Sequence, residues 1–538
     1  MSLLQILLAA EAASRQSAVR RTAYRHAMMT PDPLVIAVYN LPGEAAAPLA
    51  FYLGTDQGAG ELIVAPEPRN RAVRFAGIQA FSTRVVAYIA PFLATQARQV
   101  GRPGARWMLE VALAAPQIVV PNRATREYLG ARLGRSLRYL GLGNTHPVPQ
   151  ETLWAGAHLS WLADYVHMPG QSIFMAATEV LSRHFATGQS ALEDENLATL
   201  LAWIENEPGS GLQTIAQAER DAPAFGPVAD PTLDQQLEPH VQAFGKAVRG
   251  EDTRAANRHR VEVERLLRAP LAEAYAATHR ALAILRGLPA ASGVKERWDN
   301  DLREWSAYAR RCARGLPRFR RRHDALQAAR LLERWSRAAE ELAVREAYDD
   351  PLIMAEHDAA GLCLSGTVAS FDLENFEVKP GNKRATLVPL LELSMTSQPQ
   401  LLIGDELWWT GDGRVLCEIR AIAERRGQWT VTLAVLQNHK DGQRLPAVHS
   451  QAVFARLSAF GGPPPDGPRE IPWTHRVADA DAEEREELTR ATEVESLGAT
   501  DVVGADTDDE LGPDVAPEDA VPAPSGSVPE GDVPGVLV

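Results

Sequence analysis

The section from residue 251 to residue 350 constrains the fold most, because its apolar residues repeat at helical spacing over a long distance. In its second half, nine residues follow one another at alternating steps of four and three: Trp298, Leu302, Trp305, Ala309, Cys312, Leu316, Phe319, His323 and Leu326. These steps place the side chains on one side of a helix, which has to be buried. The first half carries a matching stripe at Leu267, Leu271, Ala274, Leu282 and Leu285. With glycine and proline at positions 287 to 293 as the turn, we predict a long antiparallel helical hairpin that is kinked at Gly315 and Pro317.

This predicted hairpin also carries a concentrated positive charge. Seven arginines lie between Glu304 and Asp324 with no acid among them: Arg310, Arg311, Arg314, Arg318, Arg320, Arg321 and Arg322. Guanidinium groups hold phosphate through paired hydrogen bonds, so a nucleic-acid backbone is one candidate ligand. The alternative is a solvated helix face, because only five of the chain's 55 basic residues are lysine and arginine is therefore common everywhere.

The net negative charge of the chain is concentrated at its C-terminal end. The net charge is −14 over 538 residues, yet residues 479 to 538 hold eighteen acids against Arg485 and Arg490. That segment alone carries −16, and the other residues sum to +2. Since it is also rich in proline and glycine and poor in aromatic residues, we predict that residues 461 to 538 form a disordered acidic tail.

The first 250 residues predict a small domain, a helical region and a linker. Strand-like runs at residues 34 to 41, 48 to 54 and 61 to 65 are followed by helical spacing from 69 to 99 and a strand at 117 to 120. We therefore expect an α/β or α+β domain over residues 1 to 149, with an N-terminal amphipathic helix. Residues 150 to 218 look helical throughout, with Ser172 as the N-cap of a helix from 173 to 185. Residues 219 to 250 are expected to form a linker.

The segment from residue 351 to residue 460 predicts a small β-barrel. Six β-rich runs between residues 361 and 457 are separated by Pro-Gly-Asn, Gly-Asp-Gly and Asp-Gly turns. The basic residues Lys383, Arg384, Arg425 and Arg426 are interleaved with Trp408, Trp409 and Trp429 in this segment. An exposed tryptophan among cations would stack on single-stranded nucleic acid, whereas the alternative, which the small size of the barrel favours, is that these rings fill its core.

A helical hairpin that leads into a small barrel, with Gly404-Asp-Glu-Leu407 at the start of a strand, resembles the stalk-and-barrel accessory part of some superfamily 1 helicases. The resemblance covers residues 251 to 460 and rests on architecture, and the chain has no helicase motor. It implies an accessory protein that handles nucleic acid. The complete fold class that we expect is a multidomain α+β protein with these parts in sequence.

The sequence predicts no catalytic residue, no metal ligand and no cofactor. The one Gly-Lys pair, Gly245-Lys246, is not followed by Ser or Thr, which excludes a P-loop, and Gly141 to His146 lacks the third glycine of a dinucleotide loop. Gly170-Gln-Ser172 lacks the second glycine of a nucleophile elbow. The best candidate cluster consists of His158, Asp164, His167, Glu179 and His184, and nothing in their spacing requires them to converge.

Charge order at the N-terminus and the lack of long apolar runs predict a cytoplasmic protein without membrane contact. Cys312, Cys363 and Cys417 are too few and scattered for a disulfide framework and are expected to be packing residues. Three functions remain open. The first is a non-enzymatic nucleic-acid accessory protein that binds DNA or RNA, with the acidic tail competing for the basic surface. The second is a scaffold for a protein partner such as a separately encoded motor, and the third is an enzyme with its site in residues 30 to 218.

Overall fold

A computed structural model of the chain describes residues 3–40, 47–55, 58, 60–102, 105–138, 140, 148–221, 231–317, 319, 324–378, 384–437 and 445–458. The helices are α1 Leu3–Arg15, α2 Arg71–Ile89, α3 Arg123–Glu127, α4 Arg135–Arg138, α5 Gln150–Tyr165, α6 Ala177–His184, α7 Leu197–Glu205, α8 Gln213–Asp221, α9 Pro231–Arg249, α10 Thr253–Arg286, α11 Val294–Cys312, α12 Ala325–Asp349 and α13 Pro351–Ala359. A π-helical turn over Tyr128–Gly134 joins α3 to α4.

The strands are β1 Val19–Arg20, β2 Leu34–Asn40, β3 Pro48–Gly54, β4 Glu61–Val64, β5 Thr95–Arg102, β6 Ala105–Ala112, β7 Ile118–Val120, β8 Phe174–Ala176, β9 Phe185–Ala186, β10 Cys363–Asp372, β11 Phe376–Val378, β12 Ala385–Leu387, β13 Leu390–Met395, β14 Glu406–Trp409, β15 Leu416–Arg425, β16 Gln428–Val435 and β17 Gln451–Ala455. The chain is thus a mixed α+β protein.

A five-stranded sheet in the order β4-β3-β2-β7-β8 organises the first part of the protein. Strands β2 to β4 form the antiparallel meander that the sequence predicts, and β7 and β8 continue the sheet in parallel. Alternate residues of β2 enter two separate cores, because successive side chains point to opposite faces. Leu34, Ile36 and Val38 pack on one face, and Val35, Ala37 and Tyr39 on the other.

Helices cover both faces of this sheet. Residues of α2, α5 and α11 enter the first core, and residues of α6, α7, α9 and α10 enter the second. Residues of both apolar stripes of the predicted hairpin are therefore buried, but against different faces of the sheet, while Leu316 of the second stripe is 38% exposed. Trp305 and Tyr308 of α11 lie in the first core, whereas Leu267 and Leu282 of α10 lie in the second. The predicted packing of the two helices against each other is wrong, and with it the stalk on which the helicase resemblance depends.

The predicted kink at Gly315 is a break between two helices. Helix α11 ends at Cys312 and α12 begins at Ala325, after Asp324 caps its N-terminus by accepting a hydrogen bond from Gln327 N at 2.7 Å. Gly315 has a φ of +124°, a conformation that L side chains rarely adopt. The apolar spacing continues across the break because Phe319 still packs in the first core.

Two segments that the sequence predicts as helices contain β-strands in the structure. Helix α2 ends at Ile89, so residues 95 to 99 of the predicted helix belong to β5 instead. The predicted helix from 173 to 185 begins only at Ala177, after β8. Ser172 does not cap it. Its hydroxyl accepts a hydrogen bond from Met28 N at 3.0 Å, and so ties an N-terminal segment to the sheet.

The predicted linker at residues 219 to 250 contains helix α9. Leu237 and Val241 are buried in the second core, where α9 packs beside α10. The linker prediction rests on the prolines of residues 222 to 238, of which Pro231 is the first residue of α9, and a further proline, Pro239, lies within the helix. Residues 222 to 230 lie outside the described part.

The C-terminal β unit, which we define as residues 363 to 455, contains eight described strands, and six of them lie close to the six predicted positions. Their pairs run in the order β10-β13-β16-β15-β14-β17, and β17 pairs again with β10. Inward side chains such as Leu364, Leu393, Leu433 and Phe454 form its core. The short β11–β12 hairpin stands apart as a two-stranded sheet. The predicted disordered tail lies outside the described residues.

The three cysteines are buried free thiols, as expected of packing residues. Burial raises the pKa of Cys312 to about 11 and the pKa values of Cys363 and Cys417 to about 12. None of the described helices is both long enough and apolar enough to cross a membrane.

Candidate nucleic-acid interface

Strands β5 and β6, which lie between α2 and β7 in the sequence, form a two-stranded ribbon. This ribbon belongs neither to the five-stranded sheet nor to the strands of the C-terminal β unit. Its strands pair in register from Thr95 opposite Ala112 to Arg102 opposite Ala105. Side chains of Gln96, Arg98 and Gln99 are exposed on β5. The ribbon thus presents polar groups with donors and acceptors to solvent.

Helix α11 holds the base of this ribbon through three hydrogen bonds. Trp305 Nε1 donates to Phe92 O at 2.8 Å, just before β5. Ser306 Oγ accepts from Ala112 N at 3.0 Å, and Arg310 Nη1 donates to Glu110 O at 2.6 Å. We call the end of α11 together with the ribbon that it holds the α11–ribbon surface, and define it by Gln96, Arg98, Gln99, Arg310, Arg311 and Arg314.

The structure assigns different roles to the predicted phosphate-binding arginines. Arg310 is half-buried and supports the ribbon, while the exposed guanidinium of Arg311 lies 5.6 Å from the centroid of the Tyr308 ring. Arg314 is exposed in the turn after α11. None of these three forms an ion pair with a described acid. Arg318, Arg320, Arg321 and Arg322 lie outside the described residues.

Several arginines elsewhere on the same part of the protein are paired with carboxylates. Examples are Arg84 with Glu61 at 2.6 Å, Arg123 with Glu127 at 2.6 Å, Arg249 with Glu67 at 3.2 Å and Arg280 with Glu205 at 2.5 Å. A paired guanidinium has part of its charge neutralised and its donors occupied. Arg311 and Arg314 have no such partner among the described acids, a property that they share with exposed arginines of α10 such as Arg254, Arg258 and Arg268.

The helix dipole of α11 accounts for part of the positive charge of Arg310, Arg311 and Arg314. Arg310 and Arg311 lie in the last turn of α11, where cations stabilise the negative end of the helix dipole by about 0.3 to 1 kcal/mol. This explains a preference for cations there. It does not explain why Arg314, beyond the helix, is also unpaired.

In the C-terminal β unit, the predicted binding residues lie on different hairpins. Arg384 precedes β12, and Arg425 and Arg426 form the turn between β15 and β16, where Arg426 has a φ of +57°. All three are exposed and form no ion pair with a described acid. Lys383 lies outside the described residues.

The three tryptophans of the β unit have different environments. Trp409 and Trp429 pack against its core, as the core-filling alternative expects. Trp408 points to the other side of β14 by alternation and is half-exposed. Only Trp408 is thus oriented away from the core.

Comparison of the chain with protein-family models, with curated proteins and with solved structures finds no match.

The best-formed cavity among the described residues is a cleft of about 580 Å³ beside edge strand β8. Ala27, Val166, Met168, Phe174 and Met175 contribute apolar groups to its lining, and the charged lining residues are Arg123, Arg126, Glu127, His167, Glu179 and Arg183. Every one of these arginines has a carboxylate partner. Arg123 pairs with Glu127, Arg126 with Glu179, and Arg183 with Glu346 of α12. The cleft is therefore close to charge balance and selects no ligand by net charge. Sequence reasoning missed it, because its lining comes from segments far apart in the chain.

The predicted histidine cluster does not converge. His158 is buried in the first core with Nδ1 2.8 Å from Tyr308 Oη, and His184 Nε2 accepts from His26 N at 3.0 Å. Burial lowers the pKa of each of these imidazoles to about 4. His167 instead lies against the Trp335 ring. Within the described ranges no group of three or more His, Cys, Asp or Glu could hold a metal ion.

A buried charged network that the sequence did not predict joins distant segments. His26 Nε2 lies 3.1 Å from Asp350 Oδ2, and its Nδ1 lies 3.7 Å from Glu346 Oε1. Arg297 of α11 donates to His26 O at 3.3 Å and lies 3.8 Å from Asp349. Burial lowers the pKa of the Arg297 guanidinium. This network connects the sheet and α11 to the end of α12, from which α13 leads into the β unit.

Proposed function

We propose that this protein is a non-enzymatic, nucleic-acid-associated accessory protein that contacts the phosphate backbone through the α11–ribbon surface. The observation that carries the proposal is the position of Arg311 and Arg314. These two residues are exposed and have no described carboxylate partner, and Arg310, which precedes Arg311, donates a hydrogen bond to Glu110 O of the ribbon.

The two parts of this surface suit different features of a nucleic acid. Guanidinium groups bind phosphate oxygens in pairs of charge-assisted hydrogen bonds, which supports affinity without base specificity. A two-stranded ribbon fits the major groove of B-form DNA, where glutamine and arginine side chains reach base edges. Gln96 and Arg98 are exposed on one face of β5 and Gln99 is exposed on the other, and these are the side chains that we propose for that role.

The C-terminal β unit supplies a second, separate contact region. We interpret the cyclic pairing of its six strands as the small barrel that the sequence predicts. Arg384, Arg425 and Arg426 add unpaired cations on its hairpins, and half-exposed Trp408 offers a face for a base.

The acidic tail is part of the same proposal. Residues 479 to 538 carry a charge of −16 in the same chain as the arginine surface. A tethered polyanion competes with nucleic acid for cations, because tethering raises its effective concentration. Removing residues 461 to 538 is therefore expected to strengthen binding to nucleic acid.

The direct test is a pair of double substitutions that remove the same charge. Arg311→Gln with Arg314→Gln removes two unpaired guanidinium groups and leaves the Arg310 hydrogen bond to the ribbon intact. Arg84→Gln with Arg249→Gln removes two acid-paired groups as a control. By counterion release alone, each lost phosphate contact weakens binding by roughly tenfold at 0.1 M salt. Fluorescence anisotropy with labelled duplex and single-stranded DNA and RNA should show that loss in the first variant only, and equal affinities of the two variants would contradict the proposal.

A second function, a protein-interaction scaffold, is favoured by the β11–β12 hairpin. Phe376 and Val378 share one face and are 63% and 62% exposed, whereas Glu377 on the other face pairs with Arg420 of β15 at 3.1 Å. The apolar face is therefore turned outward, as in many partner-binding surfaces. Under this function, partner capture should survive 0.5 M salt and be lost on Phe376→Ser with Val378→Ser, and nucleic acid should not bind.

A further inference from the structure

Two histidines on neighbouring helices meet at the surface between α9 and α10. His240 of α9 and His259 of α10 have their Nδ1 atoms 3.3 Å apart, with ring centroids separated by 5.5 Å. Both side chains are half-buried. Their backbones are fixed by the packing of α9 and α10, which share the second core through residues such as Val241 and Val263.

The distance between the two nitrogens matches the spacing of two ligands on one metal ion. Zinc binds histidine nitrogen at about 2.0 to 2.1 Å in tetrahedral geometry, which separates two ligand nitrogens by about 3.3 Å. In the absence of a metal, the same spacing allows one ring to donate a hydrogen bond to the other when at least one of the rings is neutral. The pair is thus held near the geometry of a chelate.

A carboxylate lies next to this pair. Glu262 follows His259 by three residues, so the two side chains project from the same side of α10. Its carboxylate accepts hydrogen bonds from the Arg265 guanidinium, the shortest at 2.6 Å. The Glu262 side chain is one-third exposed.

We propose that His240 and His259 form a binding site for a late first-row divalent cation such as Zn²⁺, Ni²⁺ or Cu²⁺. Neutral imidazole is a preferred ligand of these ions. Glu262 is held by its ion pair with Arg265, so water fills the remaining positions. As a two-imidazole chelate, the site is weaker than a four-ligand structural zinc centre. Bound metal would fasten α9 to α10, and this inference is independent of nucleic-acid binding.

The first test is calorimetric titration of the full chain, without an affinity tag and stripped with chelator, with ZnCl₂ and NiCl₂. We expect one saturable site per chain, weakened about tenfold or more by His240→Ala and by His259→Ala. Glu262→Gln should weaken it less. His357→Ala, which removes a histidine from α13, is the matched control and should leave the affinity unchanged. Affinity should also fall on acidification, because protonated imidazole cannot bind metal.

A second measurement does not depend on how the variants fold. At substoichiometric Cu²⁺, the electron paramagnetic resonance spectrum of the unaltered protein should show coupling to two imidazole nitrogens. A spectrum without nitrogen coupling, an affinity unchanged in both histidine variants, or no saturable binding would each overturn the proposal. Metal-dependent elevation of the thermal midpoint in the unaltered protein and in His357→Ala, but not in His240→Ala, would support the fastening of α9 to α10.

Discussion

His158 shows how a residue that resembles a catalytic group in the sequence becomes part of a core. It lies between α5 and α11, packed near Trp154 and Tyr308, and accepts or donates one hydrogen bond at Tyr308 Oη. Helical spacing predicts which residues of α5 share a face with His158. It does not predict that Tyr308, 150 residues later in the chain, packs against that face. For that reason the sequence left open whether the histidines converge.

The stability contributed by neutral His158 should depend on pH. Its pKa falls from 6.5 to about 4 on folding, so this contribution is fully present above pH 6.5 and is lost as the pH falls toward 4. We expect the difference in unfolding free energy between the unaltered protein and His158→Gln to shrink by about 2 kcal/mol from pH 7 to pH 5. Urea unfolding at both pH values measures this difference, and a pH-independent value would show that His158 is not held neutral.

Gly156 tests the close packing of α5 against the residues around α4. A Cβ there would lie 2.6 Å from Arg138 N and 2.8 Å from Leu137 C, which are backbone atoms that cannot rotate away. Alanine usually stabilises a helix interior relative to glycine by about 1 kcal/mol, but here we expect Gly156→Ala to destabilise the fold by about 2 kcal/mol. Gly250→Ala, where the nearest atom is at 3.4 Å, is the control and should be close to neutral. Thermal unfolding that ranks the two variants the other way would contradict the packing.

At the scale of elements, the longest helices differ sharply in how they are held. Helix α10 has eleven buried residues along its 34, whereas α12 has only Glu346 and Ala347 buried among its 25. Most of the contacts of α12 are therefore formed by partly exposed side chains such as Trp335.

Hydrogen exchange should separate these two helices. We expect amides in the first four turns of α12 to exchange at least tenfold faster than those in the middle of α10, because few buried contacts oppose local opening. Exchange measured by mass spectrometry on the full chain provides the comparison. Equal protection would indicate that α12 is covered by contacts that the described residues do not show.

The sequence predicted an element correctly where its apolar pattern is compatible with one structure, and wrongly where the pattern is compatible with several. The meander of β2 to β4 and the six strands of the β unit follow from alternation and turn residues. Strand β8 is only three residues long and lies between helices, so its alternation is too short to detect. An apolar stripe requires burial but does not identify the partner, and α10 and α11 accordingly face opposite sides of the sheet.

For the whole molecule, the network around Asp350 links the sheet to the β unit. Asp350 Oδ2 accepts from Tyr24 N at 2.9 Å and meets His26, while Oδ1 caps α13 through Leu352 N at 2.9 Å. Burial opposes ionisation, but the hydrogen bonds outweigh it and lower the pKa of this carboxyl. The stability it contributes is thus present above the ordinary pKa of aspartate and is lost as the pH falls below it.

Removal of the Asp350 carboxylate should loosen the connection between the β unit and the part of the protein that contains the five-stranded sheet. Asp350→Ala leaves His26 and the cap of α13 without their acceptor, and we expect a loss of about 2 to 4 kcal/mol in unfolding free energy. Limited proteolysis should also cut faster between residues 324 and 363. Asp358→Ala, in the same helix region, is the control. An unchanged cleavage rate in Asp350→Ala would mean that other contacts fix the β unit.

Contacts between distant segments could not be predicted from the sequence at this scale. The α11–ribbon surface combines arginines that the sequence identified with a ribbon that it assigned partly to a helix. His26, Arg297 and Asp350 come from three segments with no shared spacing, and only the fold brings them together.

The most direct test of the central claim is the salt dependence of nucleic-acid binding. The full chain, a chain ending at residue 458, and that shorter chain with Arg311→Gln and Arg314→Gln should be titrated against a labelled DNA duplex from 0.05 to 0.3 M NaCl. We predict that affinity falls steeply with salt, that the shorter chain binds more tightly, and that the two substitutions reduce the slope of log K against log salt by about 1.8. If neither unaltered form binds at the lowest salt, or if the substitutions leave the slope unchanged, the α11–ribbon surface is not a phosphate-binding surface.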